Sequence, residues 1–145
     1  MARISIDLPA SFLFETELTV QITDLNYGGH VGNDRILSFM HEARVRFYRH
    51  LGFKDELSFE GTVGQIVTDA ALVYKSESFL GDVLIVQVGV SEVAKYGFDM
   101  FYRITNKITG KDVALGKTGI VCFDYSARKV VTIPLKLKEK VHPPD

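Results

Sequence analysis

Polar side chains able to accept or hold a proton lie close together between residues 24 and 33, in the sequence DLNYGGHVGN. Asp24 carries a carboxylate and His30 an imidazole, and both kinds of side chain act as bases in enzymes. Asn26 carries an amide, which donates and accepts hydrogen bonds but cannot act as a base or a nucleophile. The segment therefore combines two candidate bases with a side chain that could hold a water molecule or a carbonyl group.

Three glycines open the backbone of this loop. Gly28 and Gly29 can take backbone angles closed to other residues, and Gly32 lies close to the end of the loop. A ligand could therefore approach the loop closely. Tyr27, Gly29 and Gly32 are predicted to contact bound substrate, together with Asp69, a carboxylate in an otherwise apolar segment.

A helix is predicted directly after the loop, from Asn33 to His50. Apolar residues recur three and four positions apart and form one stripe: Ile36, Leu37, Met40, Ala43 and Phe47. Asn33 or Asp34 is expected to cap the start, and Gly52 to end the helix. The first N–H groups of a helix have no acceptor within it and carry partial positive charge, so this end favours an electron-rich oxygen.

Five or six segments are predicted to be strands, and all but the first follow the helix. Apolar and polar residues alternate from Phe14 to Thr23, which indicates a half-buried strand. The segment 65–75 is apolar on both faces, as expected of a central strand. The remaining strands are predicted at 83–93, 97–106, 112–124 and 130–133, and the charged tail 134–145 is expected to be peripheral.

This order of elements predicts one α+β domain over residues 1–145. Strands joined by short turns form an antiparallel sheet, here of five or six strands, and the single long helix must bury its stripe against it. Because one helix cannot cover both faces, an exposed face or edge predicts association into a homodimer or homotetramer.

Composition excludes several classes of function. The net charge of −1 gives no field that would favour nucleic acid, and no apolar run is long enough to span a membrane. Cys122 is the single cysteine, so no intrachain disulfide is possible, and the cytoplasm is the expected location. The four histidines lack metal-ligand spacing, so no metal and no cofactor are expected.

The segment 23–53 resembles the signature of the 4-hydroxybenzoyl-CoA thioesterase-like hotdog family. In that family a strand runs into an Asp-x-Asp-x-x-Gly-His-Val-Asn-Asn type of loop, followed by a helix with a Glu-Ala-Arg triplet. The matching residues are Asp24, His30, Val31, Asn33 and the triplet Glu42-Ala43-Arg44. The resemblance implies a hotdog fold, in which the sheet wraps around the long helix, and a role in acyl thioester hydrolysis.

The resemblance also implies where the substrate lies. An acyl-CoA or acyl-carrier-protein thioester would place its carbonyl at the start of the helix, against the N–H of Asn33, with that of Gly32 as a second candidate donor. The family's usual catalytic carboxylate stands four residues before the histidine, a position that Asn26 occupies here. The expected reaction is therefore attack by water, with Asn26 positioning it and Asp24 or His30 assisting.

Plainer interpretations stay open for each of these residues. His30 could only shape the loop, Asp24 could be a turn former, and Asn26 could be a loop residue with a left-handed backbone. Asp69 could pair with a lysine or arginine across the sheet. The absent carboxylate also leaves open a module that binds acyl thioesters without efficient catalysis.

Overall fold

A six-stranded antiparallel sheet and two helices make up residues 1–142, the part of the chain that the computed structural model describes. The strands are β1 (Phe14–Thr19), β2 (Val63–Tyr74), β3 (Val83–Ser91), β4 (Gly97–Asn106), β5 (Asp112–Asp124) and β6 (Lys129–Val130). The helices are α1 (Asn33–His50) and α2 (Leu135–Val141), and a 3-10 turn spans Ile22–Asp24.

The sheet curves around α1 in the order β1-β3-β4-β5-β2, with β6 added beside β5. Every pairing is antiparallel, and α1 contacts β1, β3 and β5. A long helix enclosed by an antiparallel sheet is the hotdog arrangement, so the predicted fold class is confirmed.

The core forms where α1 meets alternate residues of the central strands. On β3 and β4 every second side chain is buried: Leu84, Val86, Val88, Val90, Phe98, Met100, Tyr102 and Ile104. Ile36, Met40, Ala43 and Phe47 of the helical stripe are buried as predicted, but Leu37 is 39% exposed. Arg44 and Tyr48 are buried instead, because Arg44 bonds Glu56 and Tyr102, and Tyr48 bonds Gln65.

The chain between β1 and α1 differs from the prediction of an extended strand to Thr23. The strand ends at Thr19, and Ile22, placed by alternation on its buried face, is 68% exposed. The Asp24 carboxylate accepts the N–H of Gln21 at 2.7 Å, and the N–H of Asp24 bonds the Gln21 carbonyl at 3.0 Å. These two bonds close the 3-10 turn, so Asp24 and Asn26 do not share the face of a strand.

Both ends of α1 fall where the sequence placed them, although the predicted cap was wrong. Gly32 occupies the cap position and has no side chain to bond the N–H groups of the first turn, so neither Asn33 nor Asp34 caps the helix. At the other end Gly52 has φ +98°, a conformation suited to glycine, and its N–H bonds the Arg49 carbonyl at 2.9 Å.

The strand β2 is an edge strand, not the central strand that its apolar composition predicted. It pairs with β5 alone, and residues 67–70 are exposed. An edge strand that stays exposed usually carries polar residues on its outer face. The apolar residues on both faces of β2 therefore indicate that another surface covers it.

The tail is not wholly peripheral. Leu137 and Val141 of α2 are fully buried, and the Lys140 ammonium bonds the Leu51 carbonyl at the end of α1. The last three residues of the predicted tail lie outside the described residues. Within residues 1–142, neither helix combines the length and apolar character needed to cross a membrane.

Candidate functional site

A cavity of about 610 Å³ opens at the start of α1. One wall is the loop and first helical turn, residues 26–36, and the other is the connection from Tyr74 to Ser78 that leaves β2. Ile36 and Val113 add apolar surface between the two walls. Its size and mixed lining are typical of small-molecule sites.

The first turn of α1 lines this cavity and contains unpaired backbone donors. The N–H of Gly32 is bonded to the Asp24 carbonyl at 3.1 Å, and that of Arg35 to the Gly32 carbonyl at 3.0 Å. The N–H groups of Asn33 and Asp34 lie between them and have no acceptor among residues 1–142. Two free donors at the positive end of a long helix can stabilise an oxygen that gains negative charge.

Asn26 lies on the cavity wall with its amide fixed in one orientation. The N–H of Gly28 donates to Asn26 Oδ1 at 2.8 Å, so the Asn26 NH₂ group is directed elsewhere, and it has no partner within the described chain. The Asn26 backbone bonds the His30 carbonyl at 2.8 Å and accepts the Gly29 N–H at 3.1 Å. Asn26 does not have the left-handed backbone considered for it, and its free NH₂ group can bind a water molecule or a carbonyl oxygen.

Of the two adjacent loop glycines, only Gly29 adopts backbone angles that are unfavourable for other residues. Gly29 has φ +82°, whereas Gly28 does not lie in the left-handed region. A Cβ at Gly28 would instead press on Asn26 Oδ1 at 3.2 Å and on His30 Nε2 at 3.4 Å. Gly28 therefore leaves room for two candidate functional side chains, while Gly29 makes the turn between them.

His30 is oriented by its own loop and faces a carboxylate across the cavity. Its Nδ1 lies 3.2 Å from the Val31 carbonyl, which can only accept, so a hydrogen bond here requires the tautomer with a proton on Nδ1. In that tautomer of the neutral ring, Nε2 has the free lone pair, and it lies 3.8 Å from Glu77 Oε1. The ring is half-buried on the cavity wall, so Nε2 is placed to take a proton from a bound water molecule.

Asp24 is separated from this group, although it is close in sequence. Its carboxylate accepts the Gln21 N–H and two bonds from Arg35, at 3.1 Å from Nε and 2.9 Å from Nη2. It is 5% exposed and borders a different depression, which Arg35 also lines. The structure thus favours the turn-forming interpretation of Asp24 over the catalytic one.

Asp69 is also remote from the cavity. It follows an irregularity in the β2–β5 register, and its Oδ1 accepts the Lys117 ammonium at 2.7 Å and the Gly119 N–H at 2.9 Å. The hydrogen bond from Lys117 holds the pKa of the Asp69 carboxyl below its usual range. Asp69 is therefore the cross-sheet ion pair considered as its alternative, and it does not line the cavity in this chain.

The other predicted substrate-binding residues lie at or near the cavity. Tyr27 is fully exposed at its rim, and Gly32 forms part of its wall beside Asn33. Gly29 does not line the cavity but supports the turn that carries Asn26 and His30. Among residues 1–142 no group of three or more potential ligand side chains could hold a metal ion.

The sequence reasoning missed the second wall. Tyr74, Glu77 and Ser78 reach the cavity from the connection between β2 and β3, and the Tyr74 hydroxyl donates to the Asn33 carbonyl at 3.1 Å. The N–H of Val31 donates to the Ser78 carbonyl at 2.9 Å and joins the two walls. Nothing in the local sequence pattern places these residues opposite the start of a helix that lies more than 40 positions earlier in the chain.

Comparison with known proteins agrees with this geometry. The family model described as the thioesterase-like superfamily matches residues 20–141. A search of curated protein sequences found no significant match.

Solved structures share the fold across almost the whole chain. A 1,4-dihydroxy-2-naphthoyl-CoA thioesterase from Synechocystis is 21% identical, with a TM-score of 0.81 over 90% of this chain and 98% of its own. A gentisyl-coenzyme A thioesterase is 19% identical, with a TM-score of 0.79 over 89% and 100%. A DHNA-CoA thioesterase from Staphylococcus aureus is 21% identical, with a TM-score of 0.73 over 81% and 78%.

The family match covers most of the chain, including the loop, the long helix and all strands after it. The solved structures add the same enclosed-helix architecture. The chain therefore belongs to the thioesterase-like superfamily and is a thioesterase-like hydrolase with the hotdog fold.

Proposed function

We propose that the protein hydrolyses an acyl thioester, carried by coenzyme A or by an acyl-carrier protein, through direct attack of water. The observation that carries the proposal is the pair of unpaired N–H groups, at Asn33 and Asp34, on the wall of a cavity that also contains His30. Thioester hydrolysis needs both a donor for the developing oxyanion and a base for water, and this cavity offers both.

In the proposed reaction the thioester carbonyl oxygen lies against the first turn of α1. The Asn26 NH₂ group holds the water molecule, and His30 Nε2 takes its proton as the water oxygen bonds to the carbonyl carbon. The tetrahedral oxyanion is stabilised by the N–H groups of Asn33 and Asp34. Collapse of the intermediate breaks the carbon–sulfur bond, and His30 returns the proton to the leaving thiolate.

Glu77 supports this role of His30. Its carboxylate lies 3.8 Å from Nε2 and would stabilise the imidazolium that forms during the reaction. Glu77 also supplies a carboxylate to a cavity in which Asn26 stands at the position of the family's usual catalytic carboxylate. The carboxylate of Asp34 lines the cavity as well and is the rival base.

Single substitutions separate these roles. Thiol release is measured with short, long and aromatic acyl-CoAs, including 1,4-dihydroxy-2-naphthoyl-CoA and gentisyl-CoA, and with an acyl-carrier-protein thioester. His30→Ala should lower kcat by roughly 100-fold, the usual contribution of a general base. His50→Ala, at the opposite end of α1, is the matched control and should leave kcat unchanged. Full activity of His30→Ala combined with loss of activity in Asp34→Asn would reject His30 as the base.

A non-catalytic binding module is the second candidate, favoured by Asn26. Because residue 26 is an asparagine, the position offers no carboxylate to attack substrate, and its amide oxygen already accepts the Gly28 N–H. Tight binding of acyl-CoA without thiol release from any member of the panel would select the module over the hydrolase.

We further propose that two copies associate through β2. The strand ends the sheet, and Val67 and Tyr74 are 42% and 52% exposed along it. Pairing two edges would satisfy the open backbone groups and cover these side chains. Sedimentation should show a dimer or tetramer, and Val67→Lys should shift it towards the monomer, whereas Val130→Lys on β6 should not. A wild-type monomer at every concentration would refute the association.

A further inference from the structure

Ser78 lies on the wall of the cavity, and its hydroxyl is a buried polar group that the fold does not explain. The residue is 2% exposed, and its Oγ has no hydrogen-bond partner within residues 1–142. Buried hydroxyl groups in folded proteins are almost always paired, so an exception calls for a reason. By contrast, the Ser58 hydroxyl donates to the Asp55 carboxylate and the Ser76 hydroxyl donates to the Asp112 carbonyl.

The position of Ser78 is fixed relative to the start of α1. Its carbonyl accepts the Val31 N–H at 2.9 Å, two residues before Asn33, so the strand connection is tied to the loop at this point. Ser78, with its unpaired hydroxyl, therefore lines the same cavity as Asn33 and Asp34, whose N–H groups are unpaired. Three donors without acceptors on one cavity suit an oxygen atom that arrives with the ligand.

Ser78 lacks the surroundings of a nucleophile. An attacking serine needs a base within hydrogen-bond reach of its hydroxyl, and the Ser78 hydroxyl has no such neighbour among the described residues. The hydroxyl can rotate to donate, however, and donation to an oxyanion needs no base.

We propose that the Ser78 hydroxyl donates a hydrogen bond to the substrate carbonyl oxygen and completes, with the N–H groups of Asn33 and Asp34, the site for the oxyanion. This inference rests on the proposed thioester substrate and adds a side-chain donor to the backbone donors. The bond strengthens as negative charge develops on the oxygen, so it acts mainly on kcat.

Two readouts test the inference, and one of them needs no turnover. The first is kcat for thiol release. The second is the infrared stretch of the carbonyl in a bound acyl-dethia-CoA ketone, labelled with carbon-13, in which a methylene replaces the sulfur and prevents hydrolysis. Donation to the carbonyl lowers its stretching frequency, and a merely structural role of Ser78 would not.

Ser78→Ala should lower kcat by roughly 100-fold, the scale of losing one oxyanion donor, with little change in KM. Ser78→Ala should also reduce the lowering of the carbonyl stretching frequency that wild type causes in the bound ketone. Ser78→Cys replaces the hydroxyl by a thiol, which has a similar shape but donates weakly. Its kcat and its carbonyl shift should lie between those of wild type and Ser78→Ala. Ser126→Ala, in the turn between β5 and β6, is the control and should match wild type. The midpoint of thermal unfolding of Ser78→Ala should not fall, because no hydrogen bond of the free protein is lost.

The outcomes separate this inference from the proposed hydrolysis. If Ser78→Ala loses the carbonyl shift but wild type releases no thiol, the hydrogen bond from Ser78 is supported and the proposed hydrolysis is rejected. An unchanged carbonyl shift in a folded Ser78→Ala would overturn the donor, whatever the turnover. A mass increase of one acyl group on wild type but not on Ser78→Ala would overturn it in favour of a covalent serine. Failure of the ketone to bind wild type would overturn both proposals.

Discussion

Replacing Asp24 tests whether its carboxylate acts in the chemistry or only holds the loop against α1. The side chain is 5% exposed and accepts three hydrogen bonds, one from the Gln21 N–H and two from Arg35. It lies outside the cavity that contains Asn26 and His30. Asp24→Ala should therefore reduce stability far more than turnover.

The size of the effect follows from these contacts. Loss of a charged acceptor leaves the Gln21 N–H without its partner and costs about 2 kcal/mol. The Arg35 side chain is 40% exposed, so its ion pair is screened by solvent and adds at most about 1 kcal/mol. The total of about 3 kcal/mol corresponds to a fall in Tm of roughly 10 °C for a chain of this size.

Urea denaturation and calorimetry measure the stability, and thiol release is measured well below the transition. We expect kcat of Asp24→Ala to stay within about threefold of wild type, since a structural role leaves the chemical barrier unchanged. Asp69→Ala is the matched control, because its carboxylate is exposed, and its ion pair should contribute less than about 1 kcal/mol. Asp24→Asn that unfolds like wild type but loses kcat by about 100-fold would refute the reasoning and return Asp24 to the list of catalytic groups.

Three further predictions concern the sheet. Burial raises the pKa of the Cys122 thiol to about 12, so a thiol reagent at pH 8 should react only with unfolded protein, and fast labelling of native protein would contradict this burial. The pKa of Asp69 is lowered by Lys117, so its stabilisation is present above the unfolded pKa and lost as pH falls through the folded one. Asp69→Asn should thus weaken the fall in stability below about pH 4, measured by urea titrations at several pH values, and an unaltered pH profile would be inconsistent with the shift. Gly116→Ala would drive a methyl group into the fully buried Met40 and should cost about 1–3 kcal/mol, and an unchanged urea midpoint would show that the core can yield there.

The family and the main elements could be read from the sequence because the signals are local. The stripe on α1 repeats with the period of a helix, and the alternation on β3 and β4 repeats with that of a strand. The loop from Asp24 to Asn33 carries a motif that lies within ten consecutive residues. A structural feature that depends only on neighbouring residues in the chain can therefore be predicted from the sequence pattern.

The errors occur where distant segments meet. The apolar run of β2 predicted a central strand, but strand order depends on pairing with β5, about 50 residues away. The tail was predicted to be peripheral because its charges dominate its composition, yet Leu137 and Val141 pack into the core. Burial is decided by the partner surface, which a single segment does not contain.

The candidate site divides in the same way. The sequence alone placed Asn26, His30 and Asn33 in one loop at a helix start, since backbone geometry holds such neighbours together. Only the tertiary structure turned Asp24 away towards Arg35 and brought Glu77 and Ser78 to the same cavity. A side chain's direction and its partners across the fold depend on contacts between residues far apart in the chain, and these form only when the sheet closes around the helix.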